Sequence, residues 1–294
     1  MLLNVNNINL NNDFLKIVKQ KFISENYDIS RIADDNILIE YYTIQLKKIP
    51  VKTRNVKKSA EFKCPDNLLD GLNLLESKIL NGDSLIPHQS KNLLQLKKKD
   101  EMLYDWNIHH FHLGTKLENN NFIKRTGLLL YAYVDVDNIY FLQILDHGNW
   151  AKKDLIKIIH DNWPEVIEHL KINKNGEKFI TSYNPTDLER PNLRKANMNS
   201  FIEIDEYNVY LSPGGGFTGS GHSIIASLKL LDDRTFLQKL EDDIKNNPKS
   251  ILKQIFSTMN FVKNNDLHFE LIFENGFQLR ERNNNVSIKI NLLP

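Results

Sequence analysis

The sequence predicts an α+β protein built from small antiparallel sheets with flanking helices. Three observations predict it. Residues 66–80 place Leu68, Leu69, Leu72, Leu75 and Ile79 along one side of a helix. Residues 128–145 hold two strongly apolar runs around an Asp/Asn turn at 135–138, which reads as a hairpin. Residues 267–292 hold three β-rich runs separated by Asn275-Gly276 and by the asparagines of 283–285, which read as a meander. Three regions follow from this: a basic N-terminal part (1–100), a histidine-rich sheet and helix (101–180), and a C-terminal α+β part with a glycine-rich loop (181–294).

Taken in order, residues 13–26 carry Phe14, Leu15, Ile17, Val18, Phe22 and Ile23 at helical spacing, with Asp13 as the expected N-cap. Residues 37–46 alternate through Ile37, Ile39, Tyr41 and Thr43 and read as a strand. Residues 47–63 hold seven basic side chains against the single acid Glu61, a stretch that reads as a phosphate-binding face or, more plainly, as a solvated loop or an edge strand. The helix at 66–80 ends at Asn81-Gly82. Residues 91–104 read as helical, with Lys97, Lys98 and Lys99 as solvating charge. Residues 108–113 form the next strand, ahead of the hairpin. A helix over 152–170 follows, bent or split by Pro164. A break at 171–176 and a long polar loop at 182–199 lead to a strand pair over 201–211. Residues 224–230 fit strand or helix, and helices at 233–246 and 249–256 precede the meander.

Composition narrows the function classes. A chain of 294 residues, 41% hydrophobic, can build proper cores. A formal net charge of +1 gives no global steering toward nucleic acid or anionic membrane. No window approaches the ~20 apolar residues of a membrane helix, and residues 1–14 lack a signal-peptide pattern. Cys64 is the single cysteine, so an intrachain disulfide is impossible and a cytoplasmic location is expected. Its lysine-rich surroundings raise the option of a low-pKa thiol, set against a plain packed or surface thiol. The wealth of Asn, Lys and Ile suits an AT-rich bacterial or phage genome.

The chemistry concentrates at 105–114, Asp-Trp-Asn-Ile-His-His-Phe-His-Leu-Gly, which holds three of the nine histidines. Side chains alternate along a strand. His110 and His112 therefore share a face, and His109 lies with Phe111 and Leu113 on an apolar one. A His-x-His step can hold a metal or supply a base and an acid. Neither a cupin nor a metallo-β-lactamase spacing surrounds it, and no cofactor motif is present. His147 ends the following hairpin, and Lys116, Lys124 and Arg125 supply cations between. A second candidate is the loop over 213–223, with five of the twelve glycines. Gly215, Gly216, Ser220 and His222 make it an anion-cradling candidate or, more plainly, a flexible turn. Trp106, Trp150 and Trp163 read as packing residues.

Residues 109–160 resemble the RelE/HigB-type toxin endoribonucleases. The likeness lies in the His-Leu-Gly stretch, the turn Lys124-Arg125-Thr126-Gly127, the apolar hairpin, and Asp146-His147 leading into a helix. The resemblance implies a phosphate-contacting role for Arg125 and a proton-transfer role for His147. Together these readings predict a metal-independent enzyme that cleaves RNA through His110, His112 and His147. Arg125, Lys116 and Lys124 would contact phosphate. A toxin or phage-defence setting with a protein antitoxin or immunity partner, and no membrane partner, goes with it. Two alternatives remain open: a metal-dependent hydrolase or oxygenase using the His-x-His pair, and a non-enzymatic binding or immunity protein.

Overall fold

The computed structural model describes residues 3–173, 176–255 and 264–292. It is an α+β structure of small, mostly antiparallel sheets flanked by helices. The chain divides into two compact units, residues 43–225 and the pair of segments 1–42 and 226–294. The division falls inside helix Asp34–Lys47 and near the start of helix Ile224–Asn246. The sequence boundaries at 100/101 and 180/181 do not coincide with it, because the outermost segments pair with each other instead of with their sequence neighbours.

Residues 43–225 form three layers around one sheet. Its strand order is Asn55–Lys58, Asn138–Asp146, Leu128–Val134, Ile108–His112. The lysine-rich segment thus supplies an edge strand, paired parallel to Asn138–Asp146. The other neighbours are antiparallel. One sheet face packs Phe111, Leu130, Ala132 and Phe141 on Leu72, Leu75 and Ile79 of helix Leu69–Asn81. That helix stops at Gly82, whose φ of 73° is left-handed backbone that glycine tolerates without a Cβ clash. The opposite face packs Ile108, Leu129, Tyr131 and Tyr133 on Leu155, Ile158 and Ile159 of helix Asp154–Asn162. Pro164 ends that helix and opens the short helix Pro164–Ile167. The turn between the hairpin strands is made by Asp135, whose Oδ1 accepts from the amides of Asp137 and Asn138. In the sheet, the register shifts between Tyr131 and Ala132, leaving Leu142 as an extra residue. The bulge sits across from His110, which pairs with Tyr131.

In the other unit, helix Leu10–Ser24 packs on strand Phe269–Phe273 of an antiparallel meander completed by Phe277–Glu281 and Val286–Lys289. Phe14 meets Phe277 edge-on at 5.3 Å. Asn275 and Gly276 both take positive φ at the tight turn. Asn4–Val5 runs parallel to Asp266–Leu267.

Several local expectations are corrected. Residues 37–46 lie in helix Asp34–Lys47, not in a strand. All eight residues from Ile37 to Ile44 are buried, so packing on every side overrides the preference of β-branched residues for strands. Asp13 is not the N-cap; Asn9 is, and its side chain accepts from the Asn12 amide. Asp13 instead accepts from the amide of Leu271. Residues 91–104 are not one helix. A short turn at Lys91–Leu94 is followed by Lys97 at φ 59°, and Asp100 then caps helix Glu101–Trp106. The long loop over 182–199 contains helix Arg190–Lys195. Residues 224–230 are the start of the 23-residue helix Ile224–Asn246. The next helix is described over Pro248–Ile255, and Phe256, the last residue of the expected helix, lies outside the described residues. Among the described residues, no helix is long and apolar enough to cross a membrane.

Candidate functional site

Strand Ile108–His112 carries the histidines along the edge of the sheet. His110 and His112 stand on one face, their rings 6.5 Å apart. His147, in the turn after strand Asn138–Asp146, brings its ring to 6.2 Å from that of His112. Trp150 completes the group, 4.9 Å from His110 and 5.1 Å from His147. A cavity of about 320 Å³ opens here, lined by these four rings together with His109 and Arg125. The structure therefore brings His110, His112, His147 and Arg125 together.

Backbone chemistry explains the placement. Thr126 takes the Leu113 amide on its Oγ1 at 3.3 Å and donates that hydroxyl to the Leu128 carbonyl at 2.6 Å. Its own amide donates to His112 Nδ1 over a long 3.4 Å. Arg125 is thereby held beside the histidine strand. Accepting at Nδ1 assigns the proton of a neutral His112 to Nε2, which then donates toward a ligand. His88, fully buried, donates from Nδ1 to the His112 carbonyl at 2.9 Å. The Trp150 turn is tied down by Asn149, which donates to the Asp146 carbonyl, and by Arg194, which donates to the Trp150 carbonyl.

Asp105 and Arg194 form a buried ion pair behind the site. Arg194 Nε donates to Asp105 Oδ2 at 2.8 Å, and Ser212 donates to Oδ1 at 2.6 Å. The guanidinium also lies 4.4 Å from the centre of the Trp106 ring, with Arg190 at 5.3 Å. One carboxylate and one indole face thus compensate two buried cations.

Burial sets the charge of the histidines. His112 is 3% exposed, and desolvation, helped by His110, Arg125 and His147, pushes it down to about 4. Desolvation likewise brings His109 to about 4, against the pull of Asp100. His110 is lowered for the same reason. The strand therefore presents neutral imidazoles at neutral pH, while His147 and Arg125 are exposed.

Other candidates fall elsewhere. Lys116 and Lys124 are exposed, outside the cavity lining, and linked by a backbone hydrogen bond of 2.8 Å. Gly215, Gly216, Ser220 and His222 do not line the cavity either. The glycine-rich loop caps helix Glu101–Trp106: the amide of Gly214 donates to the Asp105 carbonyl and that of Gly216 to Tyr104. Gly215 donates to Ser212, Phe217 to Asn199, and Thr218 and His222 to each other's segment. The amides of Gly214, Gly215 and Gly216 are thus bonded within the chain, two of them capping the helix. A Cβ on Gly214 would sit 2.3 Å from the Leu103 carbonyl oxygen, which explains glycine there. Burial raises the Cys64 thiol despite Lys58, against a low-pKa nucleophile.

Sequence reasoning missed Trp150 as a cavity wall and Lys98, Lys99, Asp100 and Glu101 as its lining. It also missed Arg190 and Arg194 as buried, although their i, i+4 spacing within a polar stretch was visible. Among the described residues, no group of three or more His, Cys, Asp or Glu side chains has the arrangement to hold a metal ion. Glu118, one of the few acids near the motif, pairs with Lys91 at 2.7 Å. The chain matches no protein-family model, no curated protein and no solved structure.

Proposed function

We propose that this chain cleaves RNA by metal-independent proton transfer in the cavity beside strand Ile108–His112. The observation that carries the reading is the gathering of His110, His112, His147 and Arg125 around Trp150 in one cavity. Such cleavage needs a base for the ribose 2′-hydroxyl, an acid for the departing 5′-oxygen, and positive charge at the phosphate. His110, neutral and part-buried, takes the 2′ proton as the 2′-oxygen attacks phosphorus. His147, exposed and in the same cavity, returns a proton to the 5′-oxygen as its bond to phosphorus breaks. The products are a 2′,3′-cyclic phosphate and a 5′-hydroxyl. His112 donates from Nε2 to a phosphate oxygen, and Arg125 carries the charge. Lys116 and Lys124, on the exposed segment next to Arg125, contact phosphates outside the cavity.

Ligand geometry favours proton chemistry over the metal-dependent alternative, since no three His, Cys, Asp or Glu side chains among the described residues are arranged to hold a metal ion. The RelE/HigB resemblance supports the same reading, because the two residues it singles out, Arg125 and His147, lie in one cavity. A cytoplasmic toxin or phage-defence role, with a protein antitoxin or immunity partner, is the setting we attach to it.

The test is cleavage of end-labelled RNA in excess EDTA by wild type, His110→Ala and His147→Ala, each checked for equal thermal stability. Wild type yields cyclic-phosphate ends. Each variant loses about 100-fold or more in rate, and a 2′-deoxy strand stays intact. RNA left equally whole by all three proteins would refute the nuclease and favour a binding protein. Loss of wild-type cleavage in EDTA would restore the metal reading.

A further inference from the structure

The cavity that holds the histidines has a second chemical character. Asp100 and Glu101 line it together with Trp150 and His110. Asp100 already accepts from the Leu103 amide through Oδ1. It lies close enough to His110 and His109 to pull on the protonation of both. Glu101 is part-buried, and no hydrogen bond to its carboxylate is found among the described residues. An unpaired, partly desolvated carboxylate in a ligand cavity is an acceptor looking for a donor. Lys98 and Lys99 line the same stretch, Lys99 already donating to Asn197 at 2.8 Å, while Arg125 stands by His110 and His112. A phosphate held at Arg125 leaves the other end of the nucleotide for Asp100 and Glu101.

We propose that this cavity contains a base-recognition subsite, formed by Trp150 with Glu101 and Asp100, that selects a nucleotide whose base carries an exocyclic amine. The inference rests on the RNA-cleavage reading and deepens it. Cytosine, adenine and guanine each offer an exocyclic amino group to a carboxylate, whereas uracil offers only its ring N3–H, set between two carbonyl oxygens whose lone pairs oppose the carboxylate. Trp150 adds a flat surface common to every base, so it contributes affinity without choice. Choice comes from the acids. The position of Trp150 between His110 and His147, at 4.9 and 5.1 Å, places the ribose and phosphate of a base stacked there within reach of both rings. The nucleotide recognised is therefore the one that supplies the attacking 2′-hydroxyl. The volume of about 320 Å³ suits one nucleotide, the scale of a small-ligand site.

The experiment uses four short RNA strands, 2′-O-methylated at every position except one, which is C, A, G or U. Only that nucleotide can attack. Wild-type protein cuts the C, A and G strands with kcat/KM about tenfold or more above the U strand. Glu101→Gln offers an amide that both donates and accepts, so the ratio falls to about threefold or less with the protein still folded. Asp100→Asn preserves the helix cap and narrows the ratio as well. A U strand cut as fast as the others by wild type would overturn the subsite while leaving the nuclease reading in place. So would a ratio unchanged in both variants. If none of the four strands, nor an unmodified RNA, is cut, the nuclease reading fails and the subsite with it.

Discussion

Acidification should unfold this protein in a pH range where carboxylates are still ionised. His109 and His112 are 8% and 3% exposed, and burial brings both from 6.5 to about 4. Above pH 6.5 these histidines are neutral whether the chain is folded or not, and the native state keeps its full advantage. As pH falls below 6.5, the unfolded chain binds protons that the folded strand refuses. Stability is therefore lost progressively down to about pH 4. At about 1.4 kcal/mol per pH unit, each group accounts for about 3 kcal/mol when the titration is complete, and about 2 kcal/mol at about pH 5. Part-buried His110 and buried His88 are lowered as well and act in the same direction. His109 and His112 alone remove about 4 kcal/mol by about pH 5, a large part of the roughly 5–15 kcal/mol that holds a typical domain together. Urea-unfolding curves at about pH 7 and about pH 5, followed by tryptophan fluorescence, measure the loss directly. The double variant His109→Gln/His112→Asn removes both titrations, and its loss over the same interval should be smaller by about 4 kcal/mol. A wild type equally stable at both pH values would refute the reasoning, as would a double variant that loses as much as wild type.

Two further predictions concern the supports of the site. Asp105→Asn leaves the buried Arg194 guanidinium without its counter-charge and should cost about 3–5 kcal/mol in chemical denaturation; a cost below about 1 kcal/mol would mean the pair contributes little. Gly214→Ala puts a methyl 2.3 and 2.4 Å from the carbonyl oxygens of Leu103 and Tyr104, and should cost about 1–3 kcal/mol. Gly219→Ala, with nothing within 4 Å, should stay within about 0.5 kcal/mol, and thermal unfolding of the pair separates a packed cap from a loose loop.

Much of this site was legible because strand alternation is a strict geometric rule. A period of two places His110 and His112 on one face, and the hairpin length returns His147 to the same end of the sheet. The α+β class was legible for a similar reason, since amphipathic helices and hairpins each bury one face. What was hidden depends on long-range packing. Trp150 looked like any core ring until its turn was seen tied to Arg194, 44 residues away. Lys98, Lys99, Asp100 and Glu101 read as a charged helix surface because nothing local reveals the break at Lys97. The helix Asp34–Lys47 was misread because burial around its whole circumference erases the period that distinguishes helix from strand. In the loop over 213–223, glycine density signals close backbone approach without saying to what. Its partner is the carbonyl end of helix Glu101–Trp106.

The discontinuous unit has a consequence for how the chain is made. Residues 43–225 are contiguous, so all of the histidine unit has left the ribosome once residue 225 emerges. Helix Leu10–Ser24 has no such luck. Its buried face, Phe14, Val18 and Phe22, is covered in part by strands that begin at Phe269. At about 5–20 residues per second, that face waits about 10–50 s for strands not yet synthesised. The unit that holds the histidine cavity is complete first, and the segment translated ahead of it is the last to find its partners.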